Sequence, residues 1–271
     1  MKKNKIKDRR PPALKDEHMP KDFSIALKAY GGGGTTKSLN PNPKKLKYQS
    51  MKGFETEYKN IIDYIVRITY RIWEDKNIGY IYDTYSEDCR VWDEFGLQFG
   101  SEKIVADTVH TNNAFPNIRL FADEVIWAGD EKNSFHTSHR TIITGKNTGY
   151  SKFSPPTGKS VRLLCIANCV AKNNEIYYEN VVYDTVTLIK QLGLNVNEIA
   201  REIANQGNVG PFAPDFKSSK PKRTISKSKN IEFKIPNKIS NIRNFSKAVF
   251  NTIWNRRDFS AIDKVYSEDI I

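Results

Sequence analysis

VRLLCIANCVA (161–171), Lys172-Asn173-Asn174 and then IYYENVVYDTVTL (176–188) make up the stretch on which the fold turns. Both flanks are rich in β-branched and aromatic residues, and the asparagine pair between them is turn chemistry. They read as two long neighbouring strands. Working back from there, Ile118–Trp127 and Ser134–Gly145 read the same way around Ala128-Gly129-Asp130, and Pro155-Pro156-Thr157-Gly158 is the next turn. Further towards the N-terminus the alternation gives way to steps of three and four. Ile61, Ile62, Ile65, Ile68, Ile72 and Trp73 predict a helix with one apolar face, beginning near Tyr58. A shorter helix is expected over Ile78–Tyr85, strand and turn over Arg90–Phe99, a helix over Lys103–Val109 and a trailing helix over Val196–Gln206. Helices first and long antiparallel strands afterwards predict an α+β fold, with the helices packed on one face of a curved sheet.

Composition sets bounds on everything else. The chain has 271 residues, 38% of them apolar and 11% aromatic, enough for one domain and substantial extra. Its mean hydropathy is −0.60, and no window holds the ~18 apolar residues a transmembrane helix needs. MKKNKIKDRRPP (1–12) has signal-like charges but no apolar run after it, so a secretion signal is not expected. Cys89, Cys165 and Cys169 are an odd number and read as reduced thiols in a cytoplasmic protein. The formal net charge is +12, of which residues 1–15 carry +6 and residues 217–238 carry +7, leaving the rest near neutral. Solvated flanks are expected, with at most a weak, salt-sensitive contact to a polyanion. GGGGTTKS (31–38) misses the phosphate-loop pattern, since Thr36 stands where glycine is required, and reads as a linker.

The sequence also repeats itself. IWEDKNIGYIYDTYSED (72–88) realigns on IWNRRDFSAIDKVYSED (253–269) at a constant offset of 181, sharing Ile-Trp and Tyr-Ser-Glu-Asp without a gap. The division expected is an irregular basic extension over 1–50, the main unit over 51–205 and a basic linker over 206–238. The opening helices of a second, truncated unit then occupy 239–271. Some thirty residues cannot bury a core alone, so a fragment of a longer two-unit protein is the favoured expectation.

Trp127-Ala128-Gly129-Asp130, Ser138-His139-Arg140, Phe115-Pro116-Asn117-Ile118 and IYYENVVYDTVTLIKQLG (176–193) resemble the SnoaL-like polyketide cyclases. That group belongs to the nuclear-transport-factor-2-like (NTF2-like) superfamily. The resemblance covers about residues 58–195, and its opening recurs at 240–271. It implies a cone in which N-terminal helices wrap a curved antiparallel sheet around an apolar pocket, paired as a homodimer through the open sheet face. It also implies a protein that binds a hydrophobic carbonyl or ester compound and acts, if it is an enzyme, by cyclase- or isomerase-type chemistry without metal or organic cofactor. The alternative is a non-catalytic NTF2-like module for ligand or protein binding, since one fold serves many functions.

The resemblance places Asp184 as the base. Strand parity would set Ile176, Tyr178, Asn180, Val182 and Asp184 on one inward face, where a desolvated carboxylate titrates nearer neutrality. It could then move a proton beside a carbonyl. His139 shares parity with Phe135, Thr137, Thr141 and Ile143 and is the second expected catalytic group. Asn168, Tyr178, Trp92, Asp93, Tyr82 and Asn180 are expected to bind substrate, Asn168 as an untitratable donor. His136 and His139 fall on opposite faces, so no metal site is expected. Cys165 and Cys169 read as small buried hydrophobes. Glu179, of opposite parity to Asp184, is expected in a structural or interface salt bridge.

Overall fold

Asn60 opens the first helix, α1 (Ile61–Trp73), by accepting the Asp63 N–H on its side chain at 2.9 Å. This is a computed structural model, and it describes residues 11–20, 24–26, 47–206 and 241–269. The 31–38 linker, the 217–238 basic stretch and the first ten residues lie outside that description. The chain divides into two units, residues 1–218 and 219–271.

In the first unit a 3-10 turn (Ile78–Tyr80) and the single-turn α2 (Ile81–Thr84) follow α1, then β1 (Tyr85–Asp93) and β2 (Gly96–Phe99). Helix α3 (Ser101–Ala114) leads into four long strands: β3 (Arg119–Asp130), β4 (Ser134–Lys146), β5 (Ser160–Lys172) and β6 (Glu175–Tyr183). Helices α4 (Thr185–Gln191) and α5 (Val196–Gln206) close the unit. The six strands form one sheet in the order β2-β1-β6-β5-β4-β3. This is an α+β fold, with helices over one face of a curved sheet. One correction applies to the all-antiparallel expectation, because β1 pairs in parallel with β6. The crossover between them is long enough to allow it, since it contains α3 and four strands.

Several element boundaries also differ from the sequence reading, β1 among them, which begins at Tyr85 rather than Arg90. The expected strand over 176–188 stops at Tyr183, because Asp184 caps α4 through the Thr187 N–H at 3.1 Å. The helix expected over 103–109 is longer at both ends, as α3. Register shifts mark the sheet between Ala122 and Glu124, between Val170 and Ala171, and between Tyr85 and Arg90. Such bulges bend strands, which is how a sheet of this length curls into a wall. At the β3–β4 hairpin Gly129 has φ +92°, and a Cβ there would sit 2.1 Å from the Ser134 carbonyl oxygen, so the turn requires glycine.

The core of this unit is two buried clusters, bridged by the partly buried Trp73, Tyr85, Ile104 and Ala167. At one end Phe54 and Tyr58 meet Tyr64 edge-to-face at 4.9 and 5.1 Å, beside Phe135 and Ile176. Ile25 packs on this end, and its carbonyl accepts the Trp127 indole N–H at 2.9 Å. At the other end Phe115, Ile118, Leu163 and Val181 pack with Ile189, Leu192 and Ile199 from the closing helices. Among the described residues no helix is long and apolar enough to cross a membrane.

The second unit holds α6 (Ile242–Val249), a π-helical turn (Phe250–Asn255), a 3-10 turn (Phe259–Ala261) and α7 (Ile262–Val265). Val249, Ile253 and Ala261 form its small buried cluster.

Candidate functional site

Between α1, α3 and the concave face of the sheet lies a cavity of about 240 Å³. Ile65, Ile68 and Ile72 of α1 line it on one side, and Val91, Leu120 and Leu163 of the sheet on the other. Its floor is three cross-strand rows. His139, Ala167 and Val181 form the middle row; Cys169 and Glu179 flank it on one side, and Thr141, Cys165 and Tyr183 on the other. Ala167 puts only a methyl group between His139 and Val181, and that small residue helps keep the floor open.

Two polar side chains matter most on this apolar floor. Glu179 is buried, and its Oε2 accepts the Tyr85 hydroxyl at 3.0 Å. Burial pushes its carboxyl up to about 7, against a smaller downward pull from hydrogen bonds with Tyr85 and Cys169. His139 is 3% exposed, and burial pushes its imidazole down to about 4, so it is neutral at pH 7. Its Nε2 has no protein partner. An orphaned buried polar atom facing a cavity is a ready contact for a ligand.

At the rim the chemistry turns ionic. Asp93 accepts the Phe95 and Gly96 N–H groups at 2.8 and 3.1 Å and the Gln98 side-chain amide at 3.3 Å; desolvation raises its carboxyl. The other amide atom, Gln98 Oε1, is buried and unpartnered. Asp107 pairs with Lys103 at 2.6 Å, yet burial still pushes its carboxyl up to about 6. The half-buried Lys152 stands 3.6 Å from Glu94 and 3.5 Å from the centre of the Phe95 ring. Among the described residues no three His, Cys, Asp or Glu side chains gather as a metal site would require.

Most of the expected site residues lie elsewhere. Asp184 is exposed and caps α4, outside the cavity lining. Asn168 and Asn180 are exposed on the outer sheet face, directly paired across β5 and β6. Tyr178 and Trp92 point the same way and do not line the cavity, and Tyr82 is exposed with its hydroxyl on Glu102. Only His139 and Asp93 of the expected set face the cavity. For the residues expected inward on β6 the cause is a single bulge. Ile176 pairs with Ala171, but the next partners are Tyr178 and Val170, so Tyr177 is an extra residue. Parity inverts there, and Glu179, Val181 and Tyr183 turn inward in place of Asn180, Val182 and Asp184. Glu179 accordingly sits in no ion pair but in the cavity floor. The overlooked signal is Ile176-Tyr177, two large buried side chains in succession after Asn173 and Asn174, both of positive φ.

No family model matches this chain, and no curated protein matches it. Solved structures do. A candidate SnoaL-like polyketide cyclase from Jannaschia sp. CCS1 is 16% identical, with 54% of this chain and 99% of that one covered and a TM-score of 0.46. A SnoaL-like polyketide cyclase from Agrobacterium tumefaciens is also 16% identical over 49% of this chain and 97% of its own, at a TM-score of 0.40. A hypothetical protein of ketosteroid isomerase-like fold from Catenulispora acidiphila, solved with trimethylamine, is 18% identical over 49% and 95%, at a TM-score of 0.40. The likeness is one of fold. That fold rests here on the chain's own strand order and register, and the chemistry of the site has to be argued from its side chains.

Proposed function

We propose that the first unit binds a small, largely apolar carbonyl or ester compound in its cavity and moves a proton on it, with Glu179, not Asp184, as the base. The observation that carries this reading is a carboxyl desolvated to about 7 on the floor of an apolar cavity. At that value it is part ionised at neutral pH, strong enough to take a proton and acidic enough to return it. In the step proposed, ionised Glu179 takes the C–H proton beside the carbonyl, the electron pair moves to the carbonyl oxygen, and the protonated carboxyl gives the proton back. Neutral His139, with its hydrogen on Nε2, would donate to the developing oxyanion. Size limits the ligand: an engineered cavity of about 150 Å³ takes up benzene, so about 240 Å³ suits roughly ten to twelve non-hydrogen atoms.

The test is deuterium uptake beside the carbonyl of 2-tetralone, a benzo-fused cyclic ketone of that size, followed by NMR in D₂O. Accelerated uptake, rising with pH through a midpoint near 7 and falling roughly 100-fold or more in Glu179→Gln, is the expected result. The second reading, a binding module without turnover, is favoured by the unpartnered His139 Nε2 and Gln98 Oε1, which suit a ligand whether or not it reacts. Binding of the ketone with no uptake at any pH would select it.

We also propose that two copies pair through the outer sheet face. Leu164, Ile166, Val182 and Ile126 are exposed there, a concentration of apolar side chains that favours a partner surface.

A further inference from the structure

The repeat seen in the sequence is matched, element by element, by the backbone of the second unit. At the offset of 181, α1 begins at Ile61 and α6 at Ile242; the 3-10 turns are Ile78–Tyr80 and Phe259–Ala261; the single turns are Ile81–Thr84 and Ile262–Val265. The details follow the same offset. Asn60 caps α1 through the Asp63 N–H, and Asn241 caps α6 through the Asn244 N–H. Lys76 and Arg257 both take left-handed backbone, at φ 60° and 59°. The Asn77 N–H donates to the Arg71 carbonyl and the Asp258 N–H to the Thr252 carbonyl, at 2.9 and 3.1 Å. Close sequence identity does not explain this. Over 61–84 against 242–265 the shared residues are Ile61/Ile242, Ile72/Ile253, Trp73/Trp254 and Ile81/Ile262.

Those shared positions are the ones that matter for packing. In the first unit Ile61 and Ile81 are 0% and 1% exposed beneath the sheet, whereas Ile242 and Ile262 are 69% and 37% exposed. Thr69 and Trp73 line the cavity of the first unit, and their counterparts Phe250 and Trp254 are 62% and 65% exposed. A short helical segment that retains its core-facing apolar residues while leaving them in solvent is one surface of an interface.

We infer that residues 241–269 are the helical wall of a second α+β unit, whose face of Ile242, Phe250, Trp254 and Ile262 seats on the concave side of a curved sheet built like β1–β6. The occupant is that sheet, with Phe250 and Trp254 lining a second chamber between wall and floor. Phe250 in place of Thr69 makes that chamber narrower and more aromatic than the first. This inference is independent of the role given to Glu179.

The experiment is an extension of the full chain. A copy of residues 89–206 is joined directly after Asp269, the counterpart of Asp88, and hydrogen exchange is followed by mass spectrometry. The expected result is protection of the copied strands together with exchange about tenfold slower or more over 242–262 than in the unextended chain. Adding Trp254→Asp should abolish the protection of the copied strands and leave that of the first unit unchanged. Arg243 and Ser246 stand where Ile62 and Ile65 are buried, so a second version carries Arg243→Ile and Ser246→Ile to restore both core contacts. Copied strands that stay unprotected in both versions overturn the inference. So does protection of the strands that leaves exchange over 242–262 unchanged.

Discussion

Glu179 and His139 share a cavity and titrate in opposite senses, which gives the site a pH signature. The Glu179 carboxyl is near 7 when folded against an ordinary 4.5, so the folded state holds the proton longer and stability falls as pH rises from 4.5 to 7. The His139 imidazole is near 4 when folded against 6.5, so stability falls as pH drops from 6.5 to 4. Each effect is on the order of 3 kcal/mol at its limit, and the two oppose each other between about pH 4.5 and 6.5. In denaturant titrations across this range Glu179→Gln should expose the acid-side loss and stand out as more stable than wild type above pH 7. His139→Leu should expose the opposite slope, with stability at pH 7 within about 1 kcal/mol of wild type because it removes a buried orphan nitrogen. Parallel pH profiles for wild type and both variants would show that neither group is desolvated.

At the scale of elements, one extra residue in β6 decides which carboxylate faces the cavity. The order of helices and strands and the inward face of β4 were legible in the sequence, since each depends on local periodicity. The turn expected at Ala128-Gly129-Asp130 instead falls three residues later, at 131–133, with Ala128, Gly129 and Asp130 still paired in β3. The inward face of β6 was not legible, because the Tyr177 bulge is set by pairing with β5 and strict alternation runs straight through it. Asp184 was misread for a related reason: the polar residue that ends a strand and the one that caps the next helix are the same residue. Asp184→Ala should therefore cost about 1 kcal/mol of stability, the usual loss for a helix cap, and leave deuterium uptake by 2-tetralone unchanged. A fall in uptake as large as that of Glu179→Gln would restore Asp184 to the chemistry.

At the scale of the whole molecule, the first unit has two apolar surfaces. The inner one is closed by α1 and α3, and the outer one presents Ile166 and Val182, directly paired across β5 and β6. Charges placed there should block pairing without disturbing the core. Ile166→Lys with Val182→Lys is expected to convert a dimer to a monomer in analytical ultracentrifugation, with the unfolding midpoint at fixed pH little changed beyond the loss of concentration dependence. A wild-type chain that sediments as a monomer at micromolar concentration would remove the pairing proposal and leave the cavity reading intact.

Cys165 and Cys169 belong to the cavity floor, while Cys89 is buried away from it. Burial pushes the Cys165 thiol up to about 12 and raises that of Cys169 well above the ordinary range, so neither holds much thiolate at neutral pH. The molecule thus carries a built-in stopwatch. The speed with which a small uncharged thiosulfonate reaches these two sulfurs times how often the chamber admits a visitor, and any compound that lodges inside should slow that clock.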